Sequence, residues 1–135
     1  MVNMEFCDIK DEVKKITVYN DGDKSEYSEG GEFELILKGW CDMLSGSREM
    51  PAFGVSLNDD TLAARDNGVW VEYDFDKVLR HGGMSFERLL VAVKPEFSGF
   101  NIVRYNAEGG YAGRCYFIDL AGKNMSQFYD ILVNL

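Results

Sequence analysis

The chain has 135 residues and a formal net charge of −9, with 46% hydrophobic and 13% aromatic residues. That length and apolar content suit a single domain over residues 1–135 with its own core and exclude a disordered chain, while the charge opposes nucleic acid and anionic membranes, because binding a phosphate backbone needs Lys and Arg to displace counterions. No apolar run approaches the roughly 18–20 residues needed to cross a bilayer, and the start, MVNMEFCDIKDEVKK, lacks the basic-then-apolar pattern of a secretory signal, so a soluble, cytoplasmic protein is expected.

Residues 1–15 are charged and read as a short helix or a loose arm. KITVYN then alternates as a strand up to the turn signal Asp21-Gly22, and a polar loop is expected from there to about Gly31. EFELILKGWCDML places Phe33, Ile36, Leu37, Trp40 and Leu44 at helical spacing with Glu34, Lys38 and Asp42 opposite, which predicts an amphipathic helix. Gly39 inside it costs about 1 kcal/mol relative to alanine, and close packing against another element is the expected return. In PAFGVSL, strand alternation puts Phe53, Val55 and Leu57 on one face and the small residues Ala52, Gly54 and Ser56 on the other.

TLAAR and VWVEYDF flank Asn67-Gly68, a strong hairpin signal, and are predicted to pair as antiparallel strands. In that register Leu62, Ala64, Val71 and Tyr73 share the core face, and Arg65 lies over Trp70 on the other. DKVLRHGG reads as a short helical turn and SFERLLVAV as a second helix, with Ser85 as N-cap and Phe86, Leu89, Leu90 and Val93 inward. GFNIVRYN and YAGRCYFIDL form a further predicted hairpin, and NMSQFYDILVNL a C-terminal helix with Phe128, Ile131, Leu132 and Leu135 on one side. The expected fold is α+β: a largely antiparallel sheet of about five to six strands with two to three helices packed on one face.

Acid is concentrated early. Up to Asp76 there are 18 acidic and 7 basic residues; from Lys77 onward there are 5 and 7. Such a field favours a basic partner or a cation, although net acidity also serves solubility alone. Cys7, Cys41 and Cys115 are odd in number and contain no CxxC pair, which predicts reduced thiols and neither a disulfide framework nor a zinc site. The Gly30-Gly31, Gly82-Gly83 and Gly109-Gly110 pairs lack a phosphate-loop context and read as turns.

The stretch DNGVWVEYDFD carries the candidate site. Strand alternation puts Trp70, Glu72, Asp74 and Asp76 on one face, beside Arg65 from the predicted hairpin partner. Such a row is also the ordinary wet side of an antiparallel sheet. Read functionally, Arg65, Trp70, Glu72, Asp74 and Asp76 form a protein-binding surface, where an aromatic anchor ringed by acid suits a basic partner. The alternative is a small enzyme or ligand-binding domain using Glu72 and Asp74 as a carboxylate pair, dependent on a divalent cation if Asp59, Asp60 and Asp76 supply further oxygen donors. The lone His81 has no local nucleophile signature. The aromatic-basic mix at Arg104, Tyr105, Tyr111, Arg114, Tyr116 and Phe117 lacks the RNP pattern and is expected to pack the core and a tyrosine-bearing hairpin, with a contribution to a protein interface as the alternative. With no assembled catalytic set and no cofactor motif, the leading expectation is a non-catalytic protein-binding module, in its sharpest form an immunity- or antitoxin-type inhibitor of a basic nuclease toxin.

Overall fold

In the computed structural model, residues 2–3, 5–52 and 54–135 are described, so the reading of Phe53 lies outside the described residues. Strand β1 (Val2–Asn3) is followed by a 3-10 helix, Phe6–Asp11, which buries Phe6 and Ile9. Strands β2 (Lys15–Asn20) and β3 (Asp23–Tyr27) form an antiparallel hairpin across Asp21-Gly22, with Asn20 opposite Asp23. The segment expected as a polar loop is therefore partly an edge strand. Its residues are exposed up to Tyr27, and charge on such an edge discourages pairing with other chains.

Helix α1 (Gly31–Leu44) buries the five residues its periodicity selects. Strands β4 (Arg48–Met50) and β5 (Val55–Ser56) follow, and then TLAAR departs from expectation: Asn58–Arg65 is helix α2, not a strand. Leu-Ala-Ala-Arg favours helix intrinsically. Asn67-Gly68 here ends that helix, with the Asp66 and Asn67 amides donating to the Ala63 and Ala64 carbonyls and Gly68 at positive φ, a role Asn-Gly fills as readily as a hairpin turn. Leu62 and Ala64 are accordingly exposed, whereas Val71 and Tyr73 are in the core as expected.

Strand β6 runs from Val69 to His81 and turns at Gly82-Gly83, both at positive φ, into β7 (Met84–Val93). The helical turn and second helix expected there are thus a long hairpin. The cause is burial on both faces: Leu89, Leu90 and Val91 are all 0% exposed, and a central strand covered on both sides loses the alternation that separates it from a helix. Strands β8 (Gly99–Tyr105), β9 (Gly113–Arg114) and β10 (Tyr116–Asp119) and helix α3 (Ser126–Val133) complete the chain.

The main sheet runs β3-β2-β6-β7-β8-β10-β4, with β1 parallel to the distal half of β6, and β5 pairs with β9 in a separate two-stranded sheet. The α+β class and the antiparallel character are as expected; the sheet is larger because β1, β3, β4 and β7 join it, although TLAAR is helical and β5 pairs outside it. Helices α1 and α3 pack on one face around Trp40, whose ring lies 4.9 Å from Tyr73, 5.8 Å from Phe100 and 6.0 Å from Phe128. The opposite face carries a smaller cluster, Tyr19, Leu90, Val103, Tyr111 and Cys115, flanked by Trp70 and Tyr105. Helix α2 lies over that second face, through contacts of Arg65 with the Tyr19 and Tyr111 rings. No helix among the described residues is long and apolar enough to cross a membrane.

Candidate functional site

The alternation of β6 holds as far as Phe75, with Val69, Val71, Tyr73 and Phe75 in the main core and Trp70, Glu72 and Asp74 on the α2 side. Glu72, however, is 3% exposed. Its Oε1 accepts a hydrogen bond from the Tyr19 hydroxyl at 3.3 Å, and its Oε2 accepts one from the Tyr111 hydroxyl. Arg88 Nη1 lies 3.8 Å from the same Oε1, close enough for charge attraction across a buried site. The Tyr111 oxygen in turn accepts from Arg65 Nη1 at 2.9 Å. The result is a chain of guanidinium, phenol and carboxylate that joins α2 to the sheet.

Two aromatic faces hold the arginines in place. The Arg65 guanidinium stands 4.5 Å from the centre of the Tyr19 ring, and that of Arg88 stands 4.0 Å from the centre of Tyr105. Arg65 therefore does not lie over Trp70, as the hairpin register implied; Trp70 instead donates its Nε1 hydrogen to the Asn67 carbonyl at 2.8 Å. Burial, reinforced by the Glu72 charge, pushes the Tyr19 phenol up to about 12 and the Tyr111 phenol higher still. Both stay neutral donors. Burial works against the Arg88 charge, but Glu72 and the surrounding tyrosine and aspartate groups outweigh it and hold the guanidinium above its ordinary range.

Tyr111 is the hub of the site. Besides its hydroxyl contacts, its backbone N–H donates to Asn58 Oδ1 at 3.0 Å, and its carbonyl accepts from Ser56 Oγ at 2.5 Å. The β5–α2 segment is thus tied to one residue at three points: Ser56, Asn58 and Arg65. Gly110 makes this approach feasible, since a Cβ there would stand 2.2 Å from Asn58 Oδ1. Thr61 is the one α2 residue that is buried, so polar anchoring, more than apolar packing, keeps the helix on the sheet.

Asp74 and Asp76 are placed differently. Between the pairs Asp74–Arg88 and Leu79–Phe86, residues 75–78 oppose the single Glu87, and β6 bulges outward. Asp76 is exposed with φ of +54°, and its N–H donates to Asp74 Oδ1 at 2.9 Å. Asp74 Oδ2 lies 3.8 Å from Arg88 Nε. Together with Lys77, Glu87 and Tyr105 these residues line a shallow depression of about 240 Å³.

This geometry does not assemble an acid–base pair. Glu72 is occupied by two phenols away from solvent, and Asp74 braces the bulge and faces Arg88. Among the described residues, no three His, Cys, Asp or Glu side chains converge to hold a metal ion. His81 contacts Glu49 at 2.5 Å and its ring packs against Phe6 and Tyr116. Of the five residues read from the sequence, Arg65 and Glu72 are joined through Tyr111, Trp70 caps the turn before β6, and Asp74 and Asp76 rim the depression. Tyr19, Arg88, Tyr105 and Tyr111 were not part of that reading. Alternation in KITVYN puts Lys15, Thr17 and Tyr19 on one face, a usable signal; nothing local announces Tyr111, which lies 39 residues from Glu72. The chain matches no family model, no curated protein and no solved structure.

Proposed function

We propose that the protein is a non-catalytic binding module for a basic protein surface, in its sharpest form an immunity- or antitoxin-type inhibitor that covers the cationic cleft of a nuclease toxin. The observation that carries this reading is the outward face of the segment 55–66. Asp59, Asp60 and Asp66 are exposed there, while the segment's basic residue, Arg65, is turned inward to Tyr111. Three large apolar side chains accompany them: Val55 is 68% exposed, Leu57 60% and Leu62 37%. Apolar anchors bordered by these three carboxylates suit a protein interface of opposite charge, in which the acid accelerates encounter and the apolar side chains slow release; the exposed basic residue on this face is Arg114, opposite Val55 on β9. Asp74 and Asp76 extend the acid along the same side of the sheet.

The test is affinity capture from the native lysate at low and high salt, followed by titration of the purified partner. The expected result is one stoichiometric basic protein whose association slows with salt. Leu57→Ser combined with Asp60→Asn should weaken it by roughly tenfold or more while leaving the unfolding midpoint unchanged. A partner held equally well by the double variant would remove this face from the model, and absence of any basic partner would remove the reading itself.

A further inference from the structure

We infer that Cys7 and Cys41 form a thiol–disulfide exchange site, in which a small disulfide such as oxidised glutathione modifies Cys7 and Cys41 resolves the adduct into an internal disulfide. This inference is independent of the binding reading and lies on the opposite side of the sheet. Cys7 is exposed in the 3-10 helix, and Cys41 is half-buried on α1. The Cys41 thiol donates to the Cys7 carbonyl at 3.1 Å. With standard bond lengths, that contact limits the two Cα atoms to a separation of at most about 8 Å, against the roughly 4.4–6.8 Å of formed disulfides.

The pair is held in place by its neighbours. Trp40, next to Cys41, donates its Nε1 hydrogen to the carbonyl of Phe6, next to Cys7, at 2.7 Å, and Phe6 is buried against His81 and Tyr116. Consecutive residues of α1 therefore grip consecutive carbonyls of the N-terminal segment. Directly after Cys7, Asp8 has φ −111° and ψ 17°, outside helical geometry, so the turn carries a break at which a small adjustment is accommodated. Cys115 is buried in the cluster on the other face of the sheet and is no competitor.

Accessibility divides the roles. The Cys7 thiolate attacks one sulfur of the oxidant, the oxidant's S–S bond breaks, and its first thiol leaves carrying the proton lost from Cys7. Cys41, whose thiol burial pushes above its ordinary value, is a poor target for an external disulfide. Next to a mixed disulfide on Cys7 it becomes an intramolecular nucleophile. Its sulfur attacks Cys7 Sγ, the mixed disulfide breaks, and the second thiol departs with the Cys41 proton. Two protein thiols are oxidised and one external disulfide is reduced to two thiols.

The experiment is incubation of the folded protein with oxidised glutathione, quenching by alkylation and intact-mass analysis with peptide mapping. The parent chain should lose two hydrogens and show a Cys7–Cys41 link. Cys41→Ser, with Cys41→Ala as a second form chosen by whichever retains the native unfolding transition, should stop at one glutathione on Cys7. Release of glutathione from the parent should be about tenfold or more faster than from that variant. A stable glutathione adduct on the parent with Cys41 still alkylatable would overturn the inference. So would a link through Cys115 or between two chains, or an unreactive Cys7.

Discussion

Glu72 shows how one residue changes meaning with its surroundings. In an exposed strand it is a solvated acid; under Tyr19, Tyr111 and Arg65 it is the buried end of a polar tether. A buried carboxylate is tolerated when its oxygens are satisfied and a positive charge is near, and Glu72 has two hydroxyl donors and Arg88. Arg65 Nε, buried and without a hydrogen-bond partner among the described residues, marks the cost of bringing the second guanidinium in. Tyr111→Phe removes the oxygen shared by Arg65 and Glu72 and should destabilise the fold by about 1–3 kcal/mol. Glu72→Ala, which leaves both phenols without their acceptor while Arg88 keeps Asp74, should cost more, about 2–4 kcal/mol. Because the two residues share a bond, the double variant should lose less than the sum of the single losses. Urea unfolding of the three variants checks this, and full additivity would show that the network is not coupled.

At the scale of the element, α1 and α3 cross where Gly39 meets Phe128 and Ile131. A Cβ on Gly39 would stand 2.6 Å from Ile131 Cδ1 and 3.2 Å from Phe128 Cδ1. Gly39→Ala sets a helix-propensity gain of about 1 kcal/mol against displacement of a flexible side-chain end, and should be close to neutral. Gly39→Val, which adds two more methyl groups in the same space, should destabilise by about 1–3 kcal/mol by denaturant unfolding; a neutral valine would show the crossing to be loose. The same scale explains the misread elements. Phe86, Leu89, Leu90 and Val93 satisfy a helical spacing and a doubly buried strand equally well, and only the pairing of β7 with β6 on one side and β8 on the other separates the two. Asn67-Gly68 likewise ends a helix or turns a hairpin with the same chemistry. The choice falls to helix because Arg65 and Asn58 find Tyr111 beneath α2.

Across the whole molecule, burial and the buried Glu72 charge converge on the tyrosines. Burial raises the phenols of Tyr19, Tyr73, Tyr111 and Tyr116, and Glu72 adds to the effect at Tyr19 and Tyr111. In the unfolded chain a phenol titrates near 10, so above that pH the unfolded state binds fewer protons than the folded state and stability falls as pH rises. The urea midpoint should begin to fall above about pH 8.5, where the Cys41 and Cys115 thiols that burial raises start to ionise in the unfolded chain, and decline further beyond about 10 as Tyr19 is carried toward about 12, with phenolate absorbance rising in step with unfolding. A midpoint unchanged across that window would contradict the buried, neutral state of these tyrosines. The α+β class, the antiparallel sheet, α1, α3 and the early concentration of acid were all legible in the sequence, because each rests on local periodicity or on composition. Which carboxylates face solvent was not. Trp70, Glu72 and Asp74 occupy the face of β6 that alternation assigns, but the partners that bury Glu72 come from β2, β7 and the loop before β9, far away in the chain. Likewise Cys7 and Cys41 are unremarkable as spacings and become neighbours only when the N-terminal segment docks on α1. Local pattern determined each strand's two faces and each helix's apolar stripe; the cover laid over those faces was decided by tertiary structure, because burial and polar pairing depend on contacts between segments that local pattern does not encode.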